Sequence, residues 1–158
     1  MFAHVIPVKG ADEEGYAAKL GAADMRWLGH TRLIVKCDNE ASLVALKDQI
    51  LNELKMDKDL EQASDENPAR YESQSNGGTE VGVRNVRGLM RTLKLCLESR
   101  IGKYIPVTHA LIPWLLEHTC LLINARVKGP DGLTPWSRVR GRAFNQRLLC
   151  FGEKMGCW

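Results

Sequence analysis

In the segment SNGGTEVGVRNVRGLMRTLK, residues 75 to 94, a single carboxylate is followed by a row of cations. Glu80, Arg84, Arg87 and Arg91 step by four, three and four, so on a helix they share one face, and Lys94 continues it. Glu80 falls in the first turn, where the helix dipole favours negative charge. Taken alone, the pattern describes a solvated face with a Glu80–Arg84 pair worth roughly a few tenths of a kcal/mol.

A second acid enlarges the chemistry. Asp38 closes the apolar run RLIVKC. It stands at the C-terminal end of a predicted strand, the edge at which open α/β sheets place their ligands. It equally suits the N-cap of the helix that follows. A carboxylate at a strand end and another at a helix N-terminus can converge on one point. Hard oxygens of that kind hold Mg²⁺ (or Mn²⁺), which needs few protein carboxylates when substrate phosphates complete its shell. Arginines further down the same helix would then grip a phosphodiester chain.

The elements that must position these groups follow from periodicity. FAHVIPV alternates and predicts a strand ending near Pro7 and Gly10. Asp12 reads as an N-cap for a helix through GYAAKLGAADMRWL that stops at Gly29. RLIVKC has the length of a buried strand. In ASLVALKDQILNELK, Leu43, Leu46, Ile50 and Leu54 recur at helical spacing. Strand, helix, strand, helix predicts an α/β domain. Residues 56–78 are polar and contain Pro68 and a Gly pair, which predicts a long functional loop with a short strand near ARYES. The 79–100 helix should bury Val83, Val86, Leu89, Met90, Leu93 and Leu97. A further helix begins at Pro106 or Pro113, and RLLCFGEKM reads as a terminal strand.

The totals fit one domain with a real core, since 158 residues are too few for two comfortable ones. Net charge is only +3, but it is polarised along the chain. Residues 1–80 hold nine Lys and Arg against fifteen Asp and Glu; residues 81–158 hold thirteen against four. A basic C-terminal half is the footprint of a polyanion binder. The most apolar run, ALIPWLLEHTCLLIN, is broken by Glu117 and His118, so no membrane span is expected. Five scattered cysteines without a C-x-x-C suit a reducing, intracellular setting. The N-terminus has no signal-peptide pattern.

With Asp38 and SQSNGGTE together, the chain resembles the catalytic core of a retroelement integrase, as found in long-terminal-repeat retrotransposons. FAHVIPVKG resembles the second strand of that core, and LIVKCDNEASLVAL the segment with its second catalytic Asp. SNGGTEVGVRNVRGLMRTLK resembles the Ser-Asn-Gly loop, here Ser75, Asn76 and Gly77, and the helix with the catalytic Glu. PWLLEHTCLLINARVKGPDGLTPWSRVRGR resembles the tail of the core with its Gly-x-Thr-Pro turn.

The resemblance implies a ribonuclease-H-like fold, a mixed five-stranded sheet flanked by helices, over residues 1–142, with 143–158 as a strand-like extension. It implies DNA integration by two-metal phosphoryl transfer, with Asp38 and Glu80 as the second and third metal-holding acids. The family's first acid lies on the central strand, before FAHVIPVKG, and has no counterpart in this sequence. Catalysis of strand transfer by this chain alone is therefore not expected. DNA is the expected partner, with Arg84, Arg87, Arg91, Lys94, Arg138, Arg140 and Arg142 as its contacts. A homo-oligomer would form through the apolar 106–126 segment. DNA joining would require access to the nucleus, although no clear basic import signal is present.

Other signals are weaker. His109, His118 and Cys120 lack paired zinc-ligand spacing. Trp114, Trp136 and Trp158 could stack on bases, but the first two fit core or interface packing better. Cys37 has no His placed to activate it.

Overall fold

The computed structural model describes residues 1–56, 60–66 and 77–153. The chain is a mixed α/β protein, mostly helical, with a small parallel sheet of two strands among the described residues. It divides into two compact units, Val5–Gly78 and a second made of Met1–His4 with Thr79–Trp158.

In the first unit, helix α1 (Tyr16–Leu28) leads into strand β1 (Arg32–Lys36), helix α2 (Ala41–Lys55) and strand β2 (Gln62–Glu66). Asp12 closes the start of α1 as expected. Its carboxylate accepts the backbone N–H groups of Tyr16 at 2.9 Å and Ala17 at 3.1 Å, and these bonds hold its pKa below the ordinary value. Gly29, at a left-handed φ of 74°, ends the helix where the sequence predicts. Ala17, Ala18 and Ala22 form the buried side of α1, small enough to let it close on α2.

Strands β1 and β2 are parallel, in register from Arg32 opposite Gln62 to Lys36 opposite Glu66. Parallel neighbours need a crossover, and α2 supplies it. The long loop predicted over 56–78 is therefore interrupted by a strand. Its sequence, QASDE, has little intrinsic preference for one. What makes it a strand is the row of β1 backbone groups that need partners, and ion pairs follow the ladder. Arg32 bonds Glu61 at 2.9 Å, and Lys36 meets Glu66 at 3.3 Å. Lys47 of α2, almost wholly buried, donates to Asp65 of β2 at 2.8 Å. That bond is the main reason the lysine pKa rises and the aspartate pKa falls. The short strand expected near residues 69–73 lies outside the described residues.

Two expectations about strands are corrected. RLIVK of the run RLIVKC does form a strand, but with one neighbour among the described residues it is only half covered, and Ile34 stays 69% exposed. Residues 2–8 join no ladder among the described residues. The start of that segment is held by a helix instead. The Asn124 side chain donates to the Met1 carbonyl at 2.7 Å and accepts from the Met1 nitrogen at 2.7 Å.

In the second unit, α3 (Gly77–Ile101, of which Gly77 and Gly78 belong to the first unit) is followed by α4 (Leu111–Arg126) and α5 (Pro135–Arg140). Val86 of α3 packs with Cys120 and Ile123 of α4, and Ala3, Leu89 and Leu116 border them. Pro113 sits inside the first turn of α4, where its missing N–H costs nothing. Trp136 packs edge-on against Phe144 at 4.9 Å, whereas Trp114 is 70% exposed.

The predicted terminal strand is absent over its described part, residues 147–153. A turn replaces it, closed by the Glu153 N–H on the Cys150 carbonyl at 3.0 Å. Arg100 donates to the Phe151 carbonyl, and the Phe151 ring lies 5.3 Å from His118. Burial lowers the His118 pKa. No helix among the described residues is long and apolar enough to cross a membrane.

Candidate nucleic-acid interface

Helix α3 has 25 residues, which at 1.5 Å per residue gives about 37 Å of rod. Its inner side carries Gly82, Val86 and Leu97 fully buried, with Leu89, Met90 and Leu93 half-buried. Val83, predicted to join this stripe, is 43% exposed because it lies at the stripe's margin. Turning that side inward leaves Arg84, Arg87 and Arg91 exposed, on the arc that Glu80 opens in the first turn. Among the described residues none of the three arginines has a hydrogen-bond or ion-pair partner, and the expected Glu80–Arg84 pair does not form. Three guanidinium groups thus face solvent over about 10 Å of helix, with no acid among the described residues paired to them.

Lys94 departs from that row. Its ammonium bonds Glu98 at 2.5 Å and lies 4.5 Å from the centre of the Tyr104 ring. Glu98 also accepts the Ile105 N–H at 2.6 Å. That bond first, and Lys94 second, hold its carboxyl below the ordinary range. Lys94 therefore fastens the end of α3 to the connection that follows it. An acid four residues after a lysine on one helix is the sequence signal for such a pair.

Arg138 is likewise engaged. It grips Asp131 with two bonds, 3.0 Å from Nε and 2.6 Å from a terminal nitrogen. The Asp131 carboxylate also accepts the Leu133 N–H at 3.2 Å, and Thr134 caps α5 through its hydroxyl on the Ser137 N–H at 3.1 Å. The Gly-x-Thr-Pro segment is thus a closed turn that starts α5. Arg140 on α5 and Arg142 just beyond it are exposed.

The Arg138 guanidinium, with the Leu133 N–H behind it, lowers the Asp131 pKa to about 2. A depressed acid stabilises the fold above its unfolded value near 3.8 and loses that contribution as pH falls through the folded one. In Arg138→Ala, the Asp131 carboxyl should titrate back toward 3.8 by carbon-detected NMR. A value still near 2 would place the cause elsewhere.

Asp38 is exposed in the turn between β1 and α2, within the unit Val5–Gly78. Glu80 is exposed and belongs to the unit that begins again at Thr79. Two residues after Asp38, Glu40 is engaged by Lys9 and by the Ser42 hydroxyl at 2.9 Å. Gly77 is the first residue of α3, while Ser75 and Asn76 lie outside the described residues. Among the described residues no three His, Cys, Asp or Glu side chains gather as metal ligands. His109 accepts the Leu111 N–H at 3.1 Å and so serves the start of α4, and Cys120 is buried in the core. No family model, curated protein or solved structure matches the chain.

Proposed function

We propose that this chain binds DNA through α3 and derives from a retroelement integrase core, with a ribonuclease-H-like architecture. The observation that carries the reading is the row Arg84, Arg87 and Arg91, exposed and unpaired among the described residues on a helix headed by Glu80. Phosphate contacts supply most sequence-independent affinity for nucleic acid, and a planar guanidinium binds phosphate oxygens two at a time. The parallel pair β1 and β2 with its crossover helix is a unit that a larger mixed sheet would contain.

In this reading Asp38 and Glu80 are each a carboxylate that would offer oxygen to Mg²⁺. Both are exposed carboxylates, and Mg²⁺ accepts one or two such ligands when phosphate oxygens and water fill the rest of its shell. Bound there, the ion would stabilise charge on the transferred phosphoryl group. The protein's own contribution is to hold the polymer: the arginines fix the strand, and the acids at the head of the helix and after β1 offer oxygen donors.

Binding and catalysis are tested separately. Affinity for a short duplex should fall with salt, with a log–log slope of about −2.7 if three phosphates are neutralised at −0.9 each. Asp38→Asn should leave that slope unchanged. A flat salt dependence would end the DNA-binding reading. Mg²⁺-dependent nicking that disappears in Asp38→Asn would show that chemistry persists as well.

A second reading, an oligomerising remnant, is favoured by Trp114 of α4, which is 70% exposed. It requires a concentration-dependent dimer in sedimentation that ignores DNA.

A further inference from the structure

Two glycines interrupt the middle of α3, and their surroundings differ. Gly82 is buried, and a Cβ there would lie 2.9 Å from the Met1 Cε, so the end of that flexible side chain would have to move aside. At Gly88 a Cβ would meet nothing within 4 Å among the described residues. Gly88 is exposed and its φ is not positive, so neither packing nor backbone conformation requires glycine there. In an exposed helix interior glycine is a poor choice beside alanine.

Its position is what distinguishes it. Arg84 lies four residues before Gly88, Arg87 directly before, and Arg91 three residues after. Thr92, four residues on, donates its hydroxyl to the Gly88 carbonyl at 3.1 Å. The missing Cβ therefore leaves backbone uncovered on the exposed side of the helix, beside the positions of Arg84, Arg87 and Arg91. Close approach of a ligand to the main chain is a use of glycine that no other residue fills.

We infer that Gly88 is where a DNA sugar–phosphate strand seats against α3, with Arg84, Arg87 and Arg91 holding its phosphates; this rests on the DNA-binding reading above. Charge complementarity selects the occupant. Three forked cations within two helical turns suit a ligand carrying closely spaced phosphates, each able to take two parallel hydrogen bonds.

The test measures binding of the full chain to a short fluorescent duplex by anisotropy. Gly88→Ala should weaken binding about threefold and Gly88→Leu about tenfold or more, tenfold being about 1.4 kcal/mol. Both variants should unfold at or above the wild-type temperature, because each improves helix propensity. Alanine and leucine favour helix almost equally, so a loss that grows from one to the other reports bulk at that position. Wild-type affinity in both variants overturns the inference. The Arg84→Gln/Arg87→Gln protein then separates the claims. If that protein binds weakly, only the seating at Gly88 is lost. If it binds like the wild type, or the wild type binds no DNA, the reading of α3 falls and the inference with it.

Discussion

Replacing Arg84, Arg87 and Arg91 together by glutamine should weaken DNA binding by about a hundredfold at low salt and flatten the salt slope by about 2.7. The three side chains are exposed and without partners among the described residues, so their removal breaks no internal bond. Glutamine matches arginine closely in helix propensity, which keeps α3 intact and makes affinity the property that changes. Charge reversal is a poorer choice, because a glutamate at 84 would stand one turn from Glu80 and repel it. The contrast with Lys94 and Arg138 sharpens the expectation. Both are basic residues of the same unit, yet each is engaged by an internal carboxylate. Glutamine at either should change DNA affinity far less than at Arg87. Equal losses at all five positions would show that overall charge, and not the α3 face, governs binding.

The largest expected effect on stability lies in the other unit. Leu54, in the last turn of α2, is 1% exposed and is among the largest fully buried side chains of the described residues. Leu54→Ala should cost about 2–5 kcal/mol, the sum of lost transfer energy and the cavity left behind. Denaturant unfolding gives the magnitude. Amide exchange should locate it, with protection lost among residues of Val5–Gly78. Leu115→Ala, on the buried side of α4, is the matched experiment for the second unit. A cost below about 1 kcal/mol at Leu54 would mean that neighbouring side chains collapse into the space.

The local signals in the sequence were reliable wherever the cause was itself local. Gly29 ends α1 because it alone takes the left-handed conformation cheaply, and Asp12 starts it because its oxygens reach two orphan N–H groups. The four-three-four spacing of Glu80, Arg84, Arg87 and Arg91 put them on one side of α3, since that is a property of helix pitch. The bulk of the buried stripe from Val86 to Leu97 follows from the same periodicity.

Tertiary structure decided what periodicity cannot express. QASDE became a strand because β1 needed hydrogen-bond partners, while the more β-prone FAHVIPV formed no ladder among the described residues, and Met1 just before it is held by Asn124, 123 positions away. Lys94 and Arg138 carry the same formal charge as Arg87, and only folding brought Tyr104 to the first and Asp131 to the second. The empty space around Gly88 is legible only once the neighbours are in place, because a glycine's reason lies in what surrounds it. Spacing along the chain specifies which residues share a helix face, whereas pairing and exposure depend on groups that are distant in sequence and meet only in the fold.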